Sequence, residues 1–187
     1  MKQHILPAIR LTIVCIFFFC GIYTLIIYGI AQFAPAKGKG EVITVNNKTA
    51  GFKLIGQSFT QDKYFWSRPS AVGYNAAGSG GSNKGPSNPD YLQQVQDRID
   101  TFLVHNPGVK KEEIPSDLVT ASGSGEDPDI SPEAARVQVK RIAAVRGIDE
   151  TKVAALVEQH IDAPLFGILG TKKVNVLKLN IALDALQ

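Results

Sequence analysis

Residues 11–33 read LTIVCIFFFCGIYTLIIYGIAQF, and this run decides how the rest of the chain is read. None of its 23 residues carries a charge, and 13 of them are Leu, Ile, Val or Phe. As an α-helix the run is about 34 Å long at roughly 1.5 Å per residue, enough to cross a hydrocarbon core of about 30 Å. Its Leu, Ile, Val and Phe side chains contribute roughly −0.3 to −0.6 kcal/mol each near the bilayer centre, about −4 to −8 kcal/mol together, and nothing ionisable opposes them. A single transmembrane helix is therefore expected. Two rival readings are weaker. Ala34-Pro35-Ala36 imitates the small-x-small site of a cleaved signal peptide, but the apolar region of such a peptide runs to only about 7–15 residues. A helix buried in a soluble core would be apolar along one stripe, not on every face.

Outward from this span the chain divides into a short head, residues 1–10, a flexible Gly-Lys hinge, residues 34–40, and a soluble domain, residues 41–187. Lys2 and Arg10 precede the span while Lys37 and Lys39 follow it, so the positive-inside count is nearly tied. A head this short normally stays behind while the domain is translocated, and an extracytoplasmic domain is expected. Of the chain's 20 basic residues only Lys2 and Arg10 lie before residue 34, leaving 18 against 17 acidic ones. Such balance gives no footprint for nucleic acid, which calls for clustered Lys and Arg. Cys15 and Cys20 both lie in the span, which excludes a disulfide or a Cys-ligated metal in the domain.

Within the domain, Glu41–Val45 and Phe52–Phe59 read as strands about an Asn46-Asn47 turn. An aromatic knot, Tyr64-Phe65-Trp66, runs into Arg68-Pro69-Ser70 and then a polar, glycine-rich stretch from Ser67 to Pro89. A stretch of that length without periodicity is either a functional loop or slack chain. Helical periodicity resumes at Pro89 behind an Asn88 cap, with Leu92, Val95, Ile99 and Phe102 as its apolar stripe. A second loop, Ala121–Asp129, leads into a helix opening at Ser131-Pro132-Glu133 and ending at Gly147. A third opens at Asp149 with Val153, Leu156, Val157 and Ile161 on one face. The tail begins strand-like at Val174 and becomes helical through Leu179, Leu183 and Leu186. Early strands followed by helices imply an α+β domain with a small sheet and several amphipathic helices.

Catalytic constellations do not emerge. The glycine-rich loop fails the phosphate-binding pattern G-x-x-x-x-G-K-[ST], because Lys84 sits between Asn83 and Gly85. Ser79-Gly80-Gly81 resembles the core of the signature loop of ABC ATPases; a glycine turn allowing close backbone approach to a partner is the plainer reading. Asp127 and Asp129 with Ser122 and Ser124 are only a fragment of the six to eight oxygens that calcium takes, and read as a turn into the next helix. His160 sits where a helix-end residue answers the macrodipole. Recognition suits the chemistry better: Tyr64, Phe65, Trp66 and Arg68 are of the types enriched at interface hot spots, although the aromatics also fit a core.

Four blocks carry a family resemblance. They are Ile55-Gly56-Gln57-Ser58-Phe59 with Tyr64-Phe65 and Arg68-Pro69-Ser70-Ala71; Tyr74-Asn75 with Ser79-Gly80-Gly81-Ser82-Asn83 and Asn88-Pro89; Asp117-Leu118-Val119-Thr120-Ala121-Ser122 with Ile130-Ser131-Pro132; and Val174-Asn175-Val176-Leu177 with Leu179-Asn180-Ile181-Ala182-Leu183-Asp184. Together with the N-terminal span, they make the chain resemble the C subunit of the bacterial Kdp potassium-transporting P-type ATPase. Glu126 and Asp129 make the second loop more acidic than that family's usual run.

The resemblance implies a non-catalytic accessory subunit of a high-affinity, ATP-driven potassium uptake pump, required for assembly and activity. Its implied partners are a potassium-channel-like subunit, a P-type subunit that hydrolyses ATP, and a small membrane subunit. The implied location is the bacterial cytoplasmic (inner) membrane with the domain on its outer, periplasmic side. The resemblance further implies a catalytic-chaperone role that raises the ATP affinity of the hydrolysing subunit, with Ser79, Gly80, Gly81 and Ser82 as its nucleotide loop. No cofactor is expected on the chain itself, ATP entering only through the complex. The expected partner surface takes in Tyr64, Phe65, Arg68, Ser70, Tyr74, Asn75 and Asn83. The alternative is a membrane-tethered extracytoplasmic enzyme or binding protein.

Overall fold

The structure, a computed structural model describing residues 2–186, separates the chain into two compact units, Met1–Glu41 and Val42–Gln187. In the first, α1 (Lys2–Cys15), a π-helical stretch (Ile16–Tyr23) and α2 (Thr24–Ala31) follow one another without a break. Gln3–Ala31, 29 residues, is long and apolar enough to cross a membrane, and is the one such helix among the described residues. Thr24 Oγ1 donates to the Phe19 carbonyl five residues back, at 3.2 Å, following the wider π register. The helix is already formed ahead of Leu11, so residues 2–10 of the stretch read as a head are helical. Pro7 inside α1 forfeits its own N–H bond. The helix stops two residues short of Phe33, and Ala36 and Lys37 then take left-handed φ angles of 55° and 51° in a short turn.

The second unit opens on a hairpin, β1 (Val42–Val45) against β2 (Lys48–Phe52). Asn46 and Asn47 have φ of 50° and 61°, the two positive values that a tight type I′ connection demands and Asn tolerates. Because the turn has only two residues, pairing resumes at once with Val45 opposite Lys48. The second strand is therefore Lys48–Phe52, and Phe52–Phe59, read from sequence as that strand, is mostly irregular. Lys48-Thr49-Ala50-Gly51 carries too few branched residues to advertise a strand.

Beyond the irregular crossing lies α3 (Pro89–His105), where Asn88 Oδ1 accepts from the Tyr91 N–H at 3.0 Å. A small antiparallel sheet follows in the order β3 (Asp129–Ile130), β5 (Lys173–Asn175), β4 (Ile161–Asp162). Val174 in the central strand faces Ile130 on one side and Ile161 on the other. Around it pack α4 (Pro132–Arg136), α5 (Val139–Arg146), α6 (Glu150–Gln159) and α7 (Val176–Ala185). Ile142, Val153, Val157, Val174, Leu179 and Leu183 are completely buried, each such side chain contributing about 1.5–3 kcal/mol by leaving water. The α+β class stands.

Two helix readings need correction. The helix expected from Pro132 to Gly147 is broken at Val137-Gln138, where the Gln138 side chain turns back onto the Ala134 carbonyl at 2.9 Å. Ile161, read as part of the third helix's apolar face, lies instead on β4, because α6 ends at Gln159 with His160 as its cap.

Candidate functional site: two loops clamped beside a buried arginine

The aromatic knot is fixed from beneath by side chains of α5 and α7. Phe65 is fully buried, and its own N–H and C=O are both held by the Asn180 amide, at 2.8 and 3.0 Å. The next residue, Trp66, donates its N–H to Gln138 Oε1 at 2.8 Å. Arg141 lies between them, buried, with its guanidinium stacked 4.7 Å from the centre of the Trp66 ring. It donates to Asn106 Oδ1 at 3.0 Å, Gln138 Oε1 at 2.7 Å, the Tyr64 carbonyl at 3.1 Å and the Asp62 carbonyl. Burial pulls its pKa down to about 10, against the opposing pull of the Asp62 carboxylate, so the group stays charged at neutral pH. At the rim, Arg146 stacks 5.1 Å from the Tyr64 ring and binds Asp184 at 2.6 Å. Tyr64 donates its hydroxyl to the same carboxylate at 3.0 Å.

On this base the glycine-rich loop is clamped to a partner supplied by the same chain, the Ser122–Asp127 segment. The Ser122 N–H donates to the Pro69 carbonyl at 3.1 Å, the Gly80 N–H to the Ser124 carbonyl at 2.8 Å, and Ser79 Oγ to that carbonyl at 2.9 Å. The Gly56 N–H reaches the Glu126 carbonyl at 2.7 Å. Arg68 seals the junction with a 2.8 Å ion pair to Asp127. Ser70 Oγ accepts from the Val72 and Tyr74 amides, turning the chain so that Tyr74 adopts φ 58°. The Tyr74 hydroxyl then donates back to the Arg68 carbonyl at 2.5 Å, and burial raises its pKa.

Three glycines let the strands of this clamp approach. A Cβ on Gly56 would stand 2.6 Å from the Asp127 carbonyl oxygen, one on Gly81 would stand 2.9 Å from that of Gly123, and one on Gly125 would stand 2.8 Å from that of Gly80. Gly80 itself has room, its nearest neighbour being a Val72 methyl at 3.7 Å. The close approach expected of the Ser79-Gly80-Gly81 turn thus falls on Gly81 and, outside that turn, on Gly56 and Gly125.

Of the residues read as a partner surface, Asn75 and Asn83 are exposed, while Tyr64, Arg68, Ser70 and Tyr74 are half-buried. Phe65 belongs wholly to the core. Of the Ser79–Ser82 loop, Ser79 and Gly80 already spend donors on Ser124. Asp127 and Asp129, the cation-loop fragment, face Arg68 and Lys173 respectively. His105 Nδ1 lies 2.8 Å from Asp62, and His160 Nδ1 lies 2.8 Å from the Leu156 carbonyl at the end of α6. A cleft of about 440 Å³ opens beside the knot, lined by Trp66, Tyr74, Arg98, Phe102 and His105 among others. Asn106, Gln138 and Arg141 carry no functional reading in the sequence, and Asn180 stands there only within the fourth block of the family resemblance. Their one signal is a polar side chain where the helical pattern places an apolar one.

The family model described as "K+-transporting ATPase, c chain" (KdpC) matches residues 5–185. Proteins named potassium-transporting ATPase KdpC subunit are similar along nearly the whole chain. That of Flavobacterium psychrophilum is 61% identical over 99% of this chain and 100% of its own length. That of Bacteroides fragilis is 51% identical over 99% and 98%, and that of Caldanaerobacter subterraneus is 46% identical over 98% and 95%. With a match of this extent, the chain belongs to the KdpC family of K+-transporting ATPase c chains.

Proposed function

We propose that this chain is the non-catalytic accessory subunit of an ATP-driven potassium uptake pump. A single helix holds it in the bacterial inner membrane with its domain on the outer face, and the clamped loop pair docks on the other pump subunits. The family supplies the pump; the observation that carries the docking reading is the clamp itself. A glycine-rich loop whose backbone is zipped to a second loop, over a base fixed by Arg141, is a pre-organised surface, and such surfaces bind at a lower ordering cost. The same bonds weigh against a direct nucleotide cradle, since Ser79 and Gly80 already spend donors within the clamp. Raising of ATP affinity is then an indirect effect, a coupling of typically about 1–3 kcal/mol passed through the membrane-embedded subunits.

The test is Ala77→Arg with Lys84→Glu, two exposed positions on the loop with ordinary φ. Co-purification with tagged pump subunits should fall while the melting temperature of the chain is unchanged. Recovery of the full complex at wild-type yield would refute the docking reading.

A further inference from the structure

Between β4 and β5 the chain makes a finger with an unusual surface. Leu165, Phe166, Ile168 and Leu169 are 62%, 83%, 80% and 57% exposed, four bulky apolar side chains within five residues. Such a cluster is not the scatter of single apolar residues found on any surface. Nor is it slack chain: the Leu165 N–H donates to the Leu169 carbonyl and the Leu169 N–H to the Leu165 carbonyl, both at 2.9 Å. The Gly167 N–H reaches the Pro164 carbonyl at 2.9 Å and the Ile168 N–H the Leu165 carbonyl at 3.3 Å. Phe166 and Gly167 take φ of 55° and 77° to close the tip. The fold thus organises its own backbone so as to hold these side chains out in water.

We infer that the finger Leu165–Leu169 is a second membrane contact, inserting its side chains into the interfacial layer of the bilayer to which the N-terminal helix tethers the chain. Three observations favour lipid. The tip carries no polar side chain, and four of its N–H groups are bonded internally or to Pro164, as a segment leaving water requires. Lys172, exposed, follows within three residues, where a cation meets anionic headgroups. A bilayer is also within reach. Residues 32–41 extend to at most about 35 Å, while a domain of this length has a radius of gyration of roughly 15 Å. Tethering makes the second contact effectively intramolecular, so a weak finger suffices. Its consequence is orientation: one helix leaves the domain free to swivel, and a second contact fixes which face it presents.

The inference rests on the chain being membrane-anchored, and the experiment separates the two. Full-length chain carrying Phe166→Trp is reconstituted into vesicles of equal parts phosphatidylcholine and phosphatidylglycerol, with or without dibrominated acyl chains. Flotation with the vesicles reports the anchor. Tryptophan emission, with wild type supplying the Trp66 background, reports the finger. Emission from the introduced indole should shift to shorter wavelength and be quenched by brominated lipid. Adding Leu165→Ser, Ile168→Ser and Leu169→Ser should abolish both effects, with the far-ultraviolet circular dichroism unchanged. A chain that floats while the introduced indole stays water-exposed and unquenched overturns the inference and spares the anchor; a chain that fails to float overturns both. Burial of that indole only when the other pump subunits are present makes the finger a protein contact, and equally overturns it.

Discussion

Gly125→Ala is the sharpest perturbation of the clamp. Gly125 has φ 72°, and the added methyl would sit 2.5 Å from a Val72 methyl, 2.8 Å from the Gly80 carbonyl oxygen and 3.2 Å from Ser70 Oγ. The left-handed backbone alone costs alanine about 1–2 kcal/mol. The carbonyl cannot rotate away as a side chain would, so the loops must part. Parting them breaks the Gly80–Ser124 and Ser79–Ser124 hydrogen bonds, each worth about 0.5–1.5 kcal/mol. Together these come to roughly 2–5 kcal/mol, which lowers the melting temperature by about 6–15 °C at roughly 3 °C per kcal/mol for a domain of this size. Gly80→Ala is the control. Its φ is ordinary and its nearest neighbour stands at 3.7 Å, so its melting temperature should stay within about 2 °C of wild type, the effect of a typical surface change. Thermal unfolding of the detergent-solubilised chain, followed by Trp66 fluorescence, measures both. Equal shifts for the two variants, or none for Gly125→Ala, would refute the idea that backbone contact between the loops holds the site.

Two further outcomes are expected. Arg141→Met removes the guanidinium that Gln138, Asn106 and the Tyr64 carbonyl all face and leaves buried acceptors unsatisfied, which should cost about 3 kcal/mol or more in a denaturant titration; a loss under about 1 kcal/mol would mean that the guanidinium does not hold the site. Because burial holds the Tyr74 pKa above its ordinary 10.0, its neutral form contributes stability that is complete below pH 10 and lost as pH rises through the folded value. Tyr74→Phe should therefore show a smaller alkaline loss of stability than wild type, and an identical loss in the two would contradict this.

What could be read from sequence was local. Asn88, Ser131 and Asp149 each cap a helix, with the side-chain oxygen taking an amide hydrogen two or three residues ahead, and each was legible because a cap depends only on neighbouring residues. Val174 and Leu183 were legible through periodicity. The hairpin was half legible: Asn46-Asn47 announced the turn, while Gly51 and Ala50 hid the strand after it. The clamp was invisible because Ser79 and Ser124 are brought together only by the tertiary fold. Arg141 was invisible for the same reason. An arginine on a helix reads as solvent-facing until Trp66, Asn106 and Gln138 arrive from elsewhere to receive it. Phe65, read into the partner surface, lies in the core, because an aromatic residue fits a core and an interface equally.

The order in which the sheet is stitched has a consequence for how the domain comes into being. β5 is the last strand in sequence and the middle one in space, so β3 and β4 cannot join until residues 173–175 are available. Phe65 likewise waits for Asn180 across 115 residues. Closing loops of that span is entropically expensive and delays folding. During synthesis the segments that become β3 and β4 thus stay unpaired, and that sheet condenses only when β5 is delivered. Removal of β5 and α7 would forfeit this sheet and much of the core at once, because Val174 joins both other strands and Leu179 and Leu183 are completely buried.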